Sequence, residues 1–166
     1  MSFIHRRTPV PTDSSPLRWY AGDMSRDALP PAAGPGALLE AAVYVDDLDA
    51  AAAFYGDLLQ LDAFQRVANR HIFYRLGSAV LLVFNPAETE RATRNPRLPV
   101  PSHGARGPGH VCFAMARSDI DALRVRLIAA GVAPDAEFDW PNGAHSLYVR
   151  DPAGNSVEFA EPWLWE

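Results

Sequence analysis

The order strand, helix, strand, strand is written twice in this sequence, and that repeat limits the possible folds more than any other feature. The first copy runs from "LEAAVYV" through "DDLDAAAAFYGDLLQL" to "RHIFYRL" and "AVLLVFN". The second runs from "HVCFAM" through "RSDIDALRVRLIAAGV" to "SLYVR" and "SVEFA". Alternating apolar residues mark the strands, and apolar residues returning every three or four positions mark the helices. Phe64–Val67 and "EFDW" leave room for one more short strand in each copy. Asp46 or Asp47 is positioned to cap the first helix, and Ser118 the second, with Gly131 at its end. The copies align when Arg75 is laid on Arg150 and Gly77 on Gly154, with two residues added to the second turn. Two β-rich units with one helix each predict an α+β fold of two curved sheets, each backed by its helix.

The segments outside these units read differently. Residues 1–37 carry Pro9, Pro11, Pro16, Pro30, Pro31 and Pro35. Proline disrupts helix interiors and central strands, so an irregular arm is expected, with Phe3, Trp19 and Tyr20 as possible anchors. Residues 87–109 are polar, rich in Pro and Gly and without periodicity, as a linker or loop would be. Residues 163–166 form a short tail.

A chain of 166 residues is expected to be one domain. Its net charge of −5 offers no basic field for nucleic acid or an anionic membrane. No run approaches the roughly 18 apolar residues of a membrane span, and no apolar run follows the N-terminal basic residues as in a signal peptide. Every basic residue is Arg, which removes lysine Schiff-base chemistry. Cys112 is the single cysteine, so no internal disulfide can form and the reducing cytoplasm is the expected location.

Glu158 lies in mid-strand between Val157 and Phe159, where a β-branched or aromatic residue would be usual. Alternation groups Glu40 with Ala42 and Tyr44, His110 with Cys112 and Ala114, and Ser156 with Glu158 and Ala160. Small residues beside an ionisable one leave space, as a cavity requires. Two carboxylates and a neutral imidazole would balance a divalent cation, and three protein donors with open positions is a catalytic pattern. The bland alternatives are an exposed strand start for Glu40, a satisfied His110 and an outward-facing Glu158.

The stretch "LEAAVYVDDLDAAAAFYGDLLQL" resembles the opening of the vicinal oxygen chelate superfamily. That superfamily includes glyoxalase I, bleomycin-resistance proteins, fosfomycin-resistance enzymes and extradiol dioxygenases. The resemblance rests on Asp47, Leu48, Phe54, Tyr55 and "LLQL", with Gln60 where Gly is usual. It extends to "GPGHVCFAM" and "YVRDPAGNSVEFAEP" and spans residues 38–162. It implies one domain of two paired βαβββ modules, 38–86 and 110–162, with a cleft between modules and a metal at its floor. The implied ligand slots fall on Glu40, His110 and Glu158, and a fourth, used in glyoxalase I, on Leu81, which cannot ligate. The chain is therefore not expected to be a typical glyoxalase I. Glu40 also stands where dioxygenases carry His, a harder set that favours Mn²⁺, Zn²⁺, Ni²⁺ or Mg²⁺ or a tolerant Fe²⁺ site.

Three further residues are candidates for catalysis. Tyr148 and Arg150 would hold an anionic or enolic oxygen, and His71 would act as a general base. Core packing for Tyr148, a salt bridge to Asp151 for Arg150 and a cavity-edge position for His71 are the alternatives. Trp140, Trp163 and Trp165 suit packing or a dimer contact, and Cys112 a small buried filler rather than a nucleophile. The expected protein is a homodimeric, metal-dependent enzyme whose small substrate chelates the cation through neighbouring oxygens. A small-molecule binding protein of the bleomycin-resistance type is the alternative.

Overall fold

Both copies of the repeat fold as expected into four-stranded sheets. The structure is a computed structural model and describes residues 34–93 and 95–166. The expectations for Phe3, Trp19 and Tyr20 fall outside those residues. Strands β1 (Glu40–Tyr44), β2 (Asp62–Val67), β3 (His71–Leu76) and β4 (Ala79–Phe84) form one sheet in the order β1-β4-β3-β2. Strands β5 (His110–Ala114), β6 (Ala136–Asp139), β7 (His145–Arg150) and β8 (Ser156–Ala160) repeat it as β5-β8-β7-β6. In each sheet the first strand pairs parallel to the last, and the other pairs are antiparallel.

The parallel pairings need a crossover, and the helices supply it. Helix α1 (Leu48–Ala51) is capped by Asp47, whose Oδ1 accepts from the backbone N–H of Asp49 and Ala50, both at 2.9 Å. From Ala52 to Leu58 the helix widens into π turns, and the Leu59 N–H reaches back to the Phe54 carbonyl at 2.9 Å. The wider turn lets the adjacent Phe54 and Tyr55 both enter the core. The segment ends at Gln60, a non-glycine residue with φ of 59°.

Between the modules, 87–109 is not wholly irregular. Its start belongs to one helical turn, α2 (Pro86–Thr89), capped by Asn85 through a 3.0 Å bond from the Ala87 N–H. Helix α3 (Arg117–Ala129) corrects a second expectation. It begins two residues earlier than a Ser118 cap implies, with Ala116 at the cap position and no side-chain cap. Ser118 therefore lies inside the first turn. Ile120, Leu123 and Leu127 are buried, as their spacing predicts.

Both modules bury their helix-bearing faces in one apolar cluster. Val43, Tyr55, Ile72 and Leu81 come from the first, and Ile120, Leu147, Val157 and Phe159 from the second. Polar side chains tie the seam. Asn155 accepts from the Gly109 N–H at 2.7 Å and donates to the Tyr44 carbonyl at 3.0 Å. That joins the end of β1 to the start of β5. Burial of one sheet face leaves the other face of each sheet to carry the unusual residues.

Candidate active site

The second sheet gathers its polar residues around Glu158. Register places Cys112 and Tyr148 on either side of it, on β5 and β7. The Glu158 side chain is 6% exposed, yet both carboxylate oxygens have polar neighbours. Oε1 accepts from Ser146 Oγ at 2.7 Å, and Ser146 Oγ in turn accepts from the Trp140 indole N–H at 2.8 Å. Oε2 lies 3.3 Å from His110 Nε2.

The His110 ring is oriented from its other side. Its Nδ1 lies 3.2 Å from the Ser156 carbonyl, which can only accept, so Nδ1 carries a proton and donates. In the neutral ring Nε2 then presents a lone pair to the lone pairs of Glu158. Two acceptors held this close need a proton or a cation between them. Ligands on one ion at about 2.1 Å, at right angles or tetrahedral angles, stand about 3.0–3.4 Å apart. The observed spacing fits a pair of metal donors.

The aromatic residues above this pair form a stack. Tyr148 lies near-parallel to Phe138 at 5.8 Å and to His110 at 6.4 Å between ring centroids. Burial, with the Glu158 carboxylate beside it, raises the Tyr148 hydroxyl well above the usual phenol range, so it stays protonated as a donor. Burial, followed by the same carboxylate, pushes the Cys112 thiol up to about 12. A thiol that ionises so reluctantly is a poor nucleophile, but Cys112 is exposed and not the buried filler expected.

Arg150 shares this sheet face by alternation, but its guanidinium is engaged elsewhere. Nε and Nη2 donate to Asp135 Oδ2 at 2.9 and 2.7 Å, and Nη1 donates to the Gly154 carbonyl at 3.3 Å. The alternative ion pair, Arg150 with Asp151, does not form. Asp151 instead accepts from Tyr55 and from its own turn.

Glu40 and His71 belong to the first sheet. Glu40 is exposed and lines a cavity of about 360 Å³ with Ala42, Phe73, Leu82, Phe84, Val100 and His103. None of the residues around Glu158 lines that cavity. His71 is 8% exposed and stacks on Phe73 at 4.1 Å. Burial, with a smaller contribution from Arg70, lowers its basicity. Among the described residues no group of three or more His, Cys, Asp or Glu is placed to hold a metal ion. The structure thus joins His110 and Glu158 and leaves Glu40 apart from them.

One position is corrected by register. Ala42 pairs with Leu82 on the first sheet, as Cys112 pairs with Glu158 on the second. Leu82, not Leu81, is therefore the counterpart of Glu158, and Leu81 is buried in the core. Ser146 and Trp140 were not foreseen as supports of Glu158. Alternation puts Ser146 on the Tyr148 face, but nothing in the sequence specifies its hydrogen bond.

The family model described as Glyoxalase/Bleomycin resistance protein/Dioxygenase superfamily matches residues 37–159. The chain belongs to that superfamily. A solved structure described as lactoylglutathione lyase from Agrobacterium tumefaciens shares 43% identity with it. That match covers 80% of this chain and 98% of the other, with a TM-score of 0.74. A glyoxalase/bleomycin resistance protein/dioxygenase from Nocardioides matches at 19% identity over 78% and 85% of the two chains, with a TM-score of 0.60. The oxidase ChaP-H2 matches at 21% identity over 75% and 92%, with a TM-score of 0.53. The last two support the fold alone. No curated protein matches the chain. Among the described residues of this glyoxalase-superfamily chain, no helix is long and apolar enough to cross a membrane.

Proposed function

We propose that the chain is a metal-dependent enzyme that stabilises an oxyanion or enolate on a small substrate chelating a divalent cation. The observation that carries this reading is the 3.3 Å approach of His110 Nε2 to Glu158 Oε2, with the other side of each group already committed. His110 and Glu158 would hold the ion from one sheet. Glu40 would complete the set from a second copy of the chain, giving a homodimer with a shared site. A bound cation would polarise a carbonyl and lower the cost of negative charge on its oxygen.

The protein's own groups have definite tasks in this scheme. Ser146 fixes the Glu158 carboxylate, so the donor geometry is set before substrate arrives. The protonated Tyr148 hydroxyl donates to a developing oxyanion. His71, neutral by burial, would accept a proton from substrate carbon at Nε2 only in place of the hydrogen bond that Nε2 receives from Gln65. Arg150, held by Asp135, braces the turn after β7 and leaves oxyanion stabilisation to Tyr148. The 43% identical lyase favours lyase or isomerase chemistry over oxygenation, and so does a donor set with one histidine. Leu82 removes a fourth protein donor and leaves a position for substrate oxygen.

Elemental analysis of untagged protein tests the reading. About one equivalent of metal per chain is expected, lost in Glu158→Gln and in His110→Ala. Wild-type protein that stays metal-free with Mn²⁺, Zn²⁺, Ni²⁺, Fe²⁺ or Mg²⁺ supplied would overturn it. The apolar face around Phe73 and Phe84 would then favour the second reading, a small-molecule binding protein.

A further inference from the structure

The cavity on the first sheet has walls that the metal-directed reading does not call for. The Phe73 and Phe84 rings meet at 82° with centroids 5.5 Å apart, forming a corner. Leu82 lines the same cavity at the position where the second sheet carries Glu158. The face is therefore apolar where its counterpart is polar. Val100 and His103 line it from the connecting segment. His103 is held there by Tyr44 Oη at 2.8 Å and by its own N–H, which donates to the Thr89 carbonyl at 3.0 Å.

One polar side chain gives this apolar corner a direction, and His71 backs it from behind Phe73. Among the described residues Glu40 is the one acidic side chain lining it, and a carboxylate accepts hydrogen bonds. His71 stacks on Phe73 on the same strand face, and its Nε2 accepts from the Gln65 amide at 3.0 Å. The His71 proton is then on Nδ1, a buried nitrogen with no partner among the described residues. A carboxylate at the edge of an aromatic corner suits an uncharged hydrogen-bond donor better than an anion, which Glu40 would repel. A cavity of about 150 Å³ suffices for a benzene ring, so about 360 Å³ accommodates a two-ring compound.

We infer that this cavity binds a neutral, planar aromatic compound, its ring against Phe73 and Phe84 and a hydroxyl donating to Glu40. The inference rests on the proposed function only in making that ring the apolar part of the substrate. The seat itself needs no metal.

Titration of 2-naphthol into the full-length protein, before and after chelator treatment, tests the inference by calorimetry. Saturable binding of about one equivalent per chain is expected in both samples. Phe73→Ala and Val100→Asp should each weaken it roughly tenfold, the size of a lost aromatic or apolar contact. Val100 is 54% exposed, so its variant folds even if Phe73→Ala does not. Ala122→Trp, which fills the separate groove between Leu61 and α3, should leave binding unchanged. Absence of saturation would overturn the inference, as would wild-type affinity in both first-sheet variants or loss of binding in Ala122→Trp. A trimethylammonium naphthalene binding tenfold tighter than 2-naphthol would also overturn it. Naphthol binding by metal-free protein supports the seat whatever the elemental analysis reports, so the two readings fail separately.

Discussion

Tyr55 and Asp151 lie 96 residues apart in sequence and meet in a buried hydrogen bond, the phenol Oη donating to Oδ2 at 2.8 Å. Asp151 also accepts from the backbone N–H of Ala153 and Asn155 and from the Asn155 amide. A buried carboxylate with four donors is well compensated, and removing one exposes the cost of its burial. Tyr55→Phe should destabilise the protein by about 2 kcal/mol in urea unfolding, and Asp151→Ala by more. A change below the error of the midpoint would mean that this clasp does not hold the modules together.

Ser146 should matter for metal rather than for folding. Ser146→Ala frees Glu158 Oε1, and apparent metal affinity should fall about 10–100-fold. Ser146→Thr, which keeps the hydroxyl, should restore most of it. Competition with a chromogenic chelator would measure both variants. Equal affinity in wild type and Ser146→Ala would remove the supporting role.

Gln60 occupies a left-handed backbone conformation at φ of 59°. That conformation costs a side-chain-bearing residue about 1–2 kcal/mol, part of which glycine returns in the unfolded chain. Gln60→Gly should raise stability by about 1 kcal/mol, read as a higher urea midpoint at unchanged slope.

His71 gives the protein a pH dependence of definite sign. Burial lowers its basicity in the fold, while the unfolded imidazole titrates near about 6.5. The unfolded state therefore binds the proton more readily. Stability attached to neutral His71 is fully present above the unfolded value and is lost as pH falls below it toward the folded value. Melting temperature should drop between pH 7.5 and 5, and His71→Phe should flatten that drop. An identical slope in the variant would assign the dependence to other groups.

The parts of this protein that follow from local chemistry were legible in the sequence. Alternation located the strands, and Asp47 announced the start of α1. Long-range register was harder. Laying Gly77 on Gly154 assumes two extra residues in the second turn. The paired residues show one, since Arg75 faces Val80 while Arg150 faces Ser156. An odd offset turns a strand over, which is why Leu82 rather than Leu81 shares the open face. Ser118 is not the cap for a local reason, because the single Ala116 carbonyl already receives both the Asp119 and the Ile120 N–H. The Trp140–Ser146–Glu158 chain depends on side-chain rotamers, which alternation does not encode.

The exchange of an acid for leucine at matching places in two otherwise similar sheets has an evolutionary consequence. One half of the molecule can vary its shape to suit new compounds while the other keeps its chemistry intact. Changes near Leu82 would then alter what is recognised, and changes near Glu158 would decide whether anything happens to it.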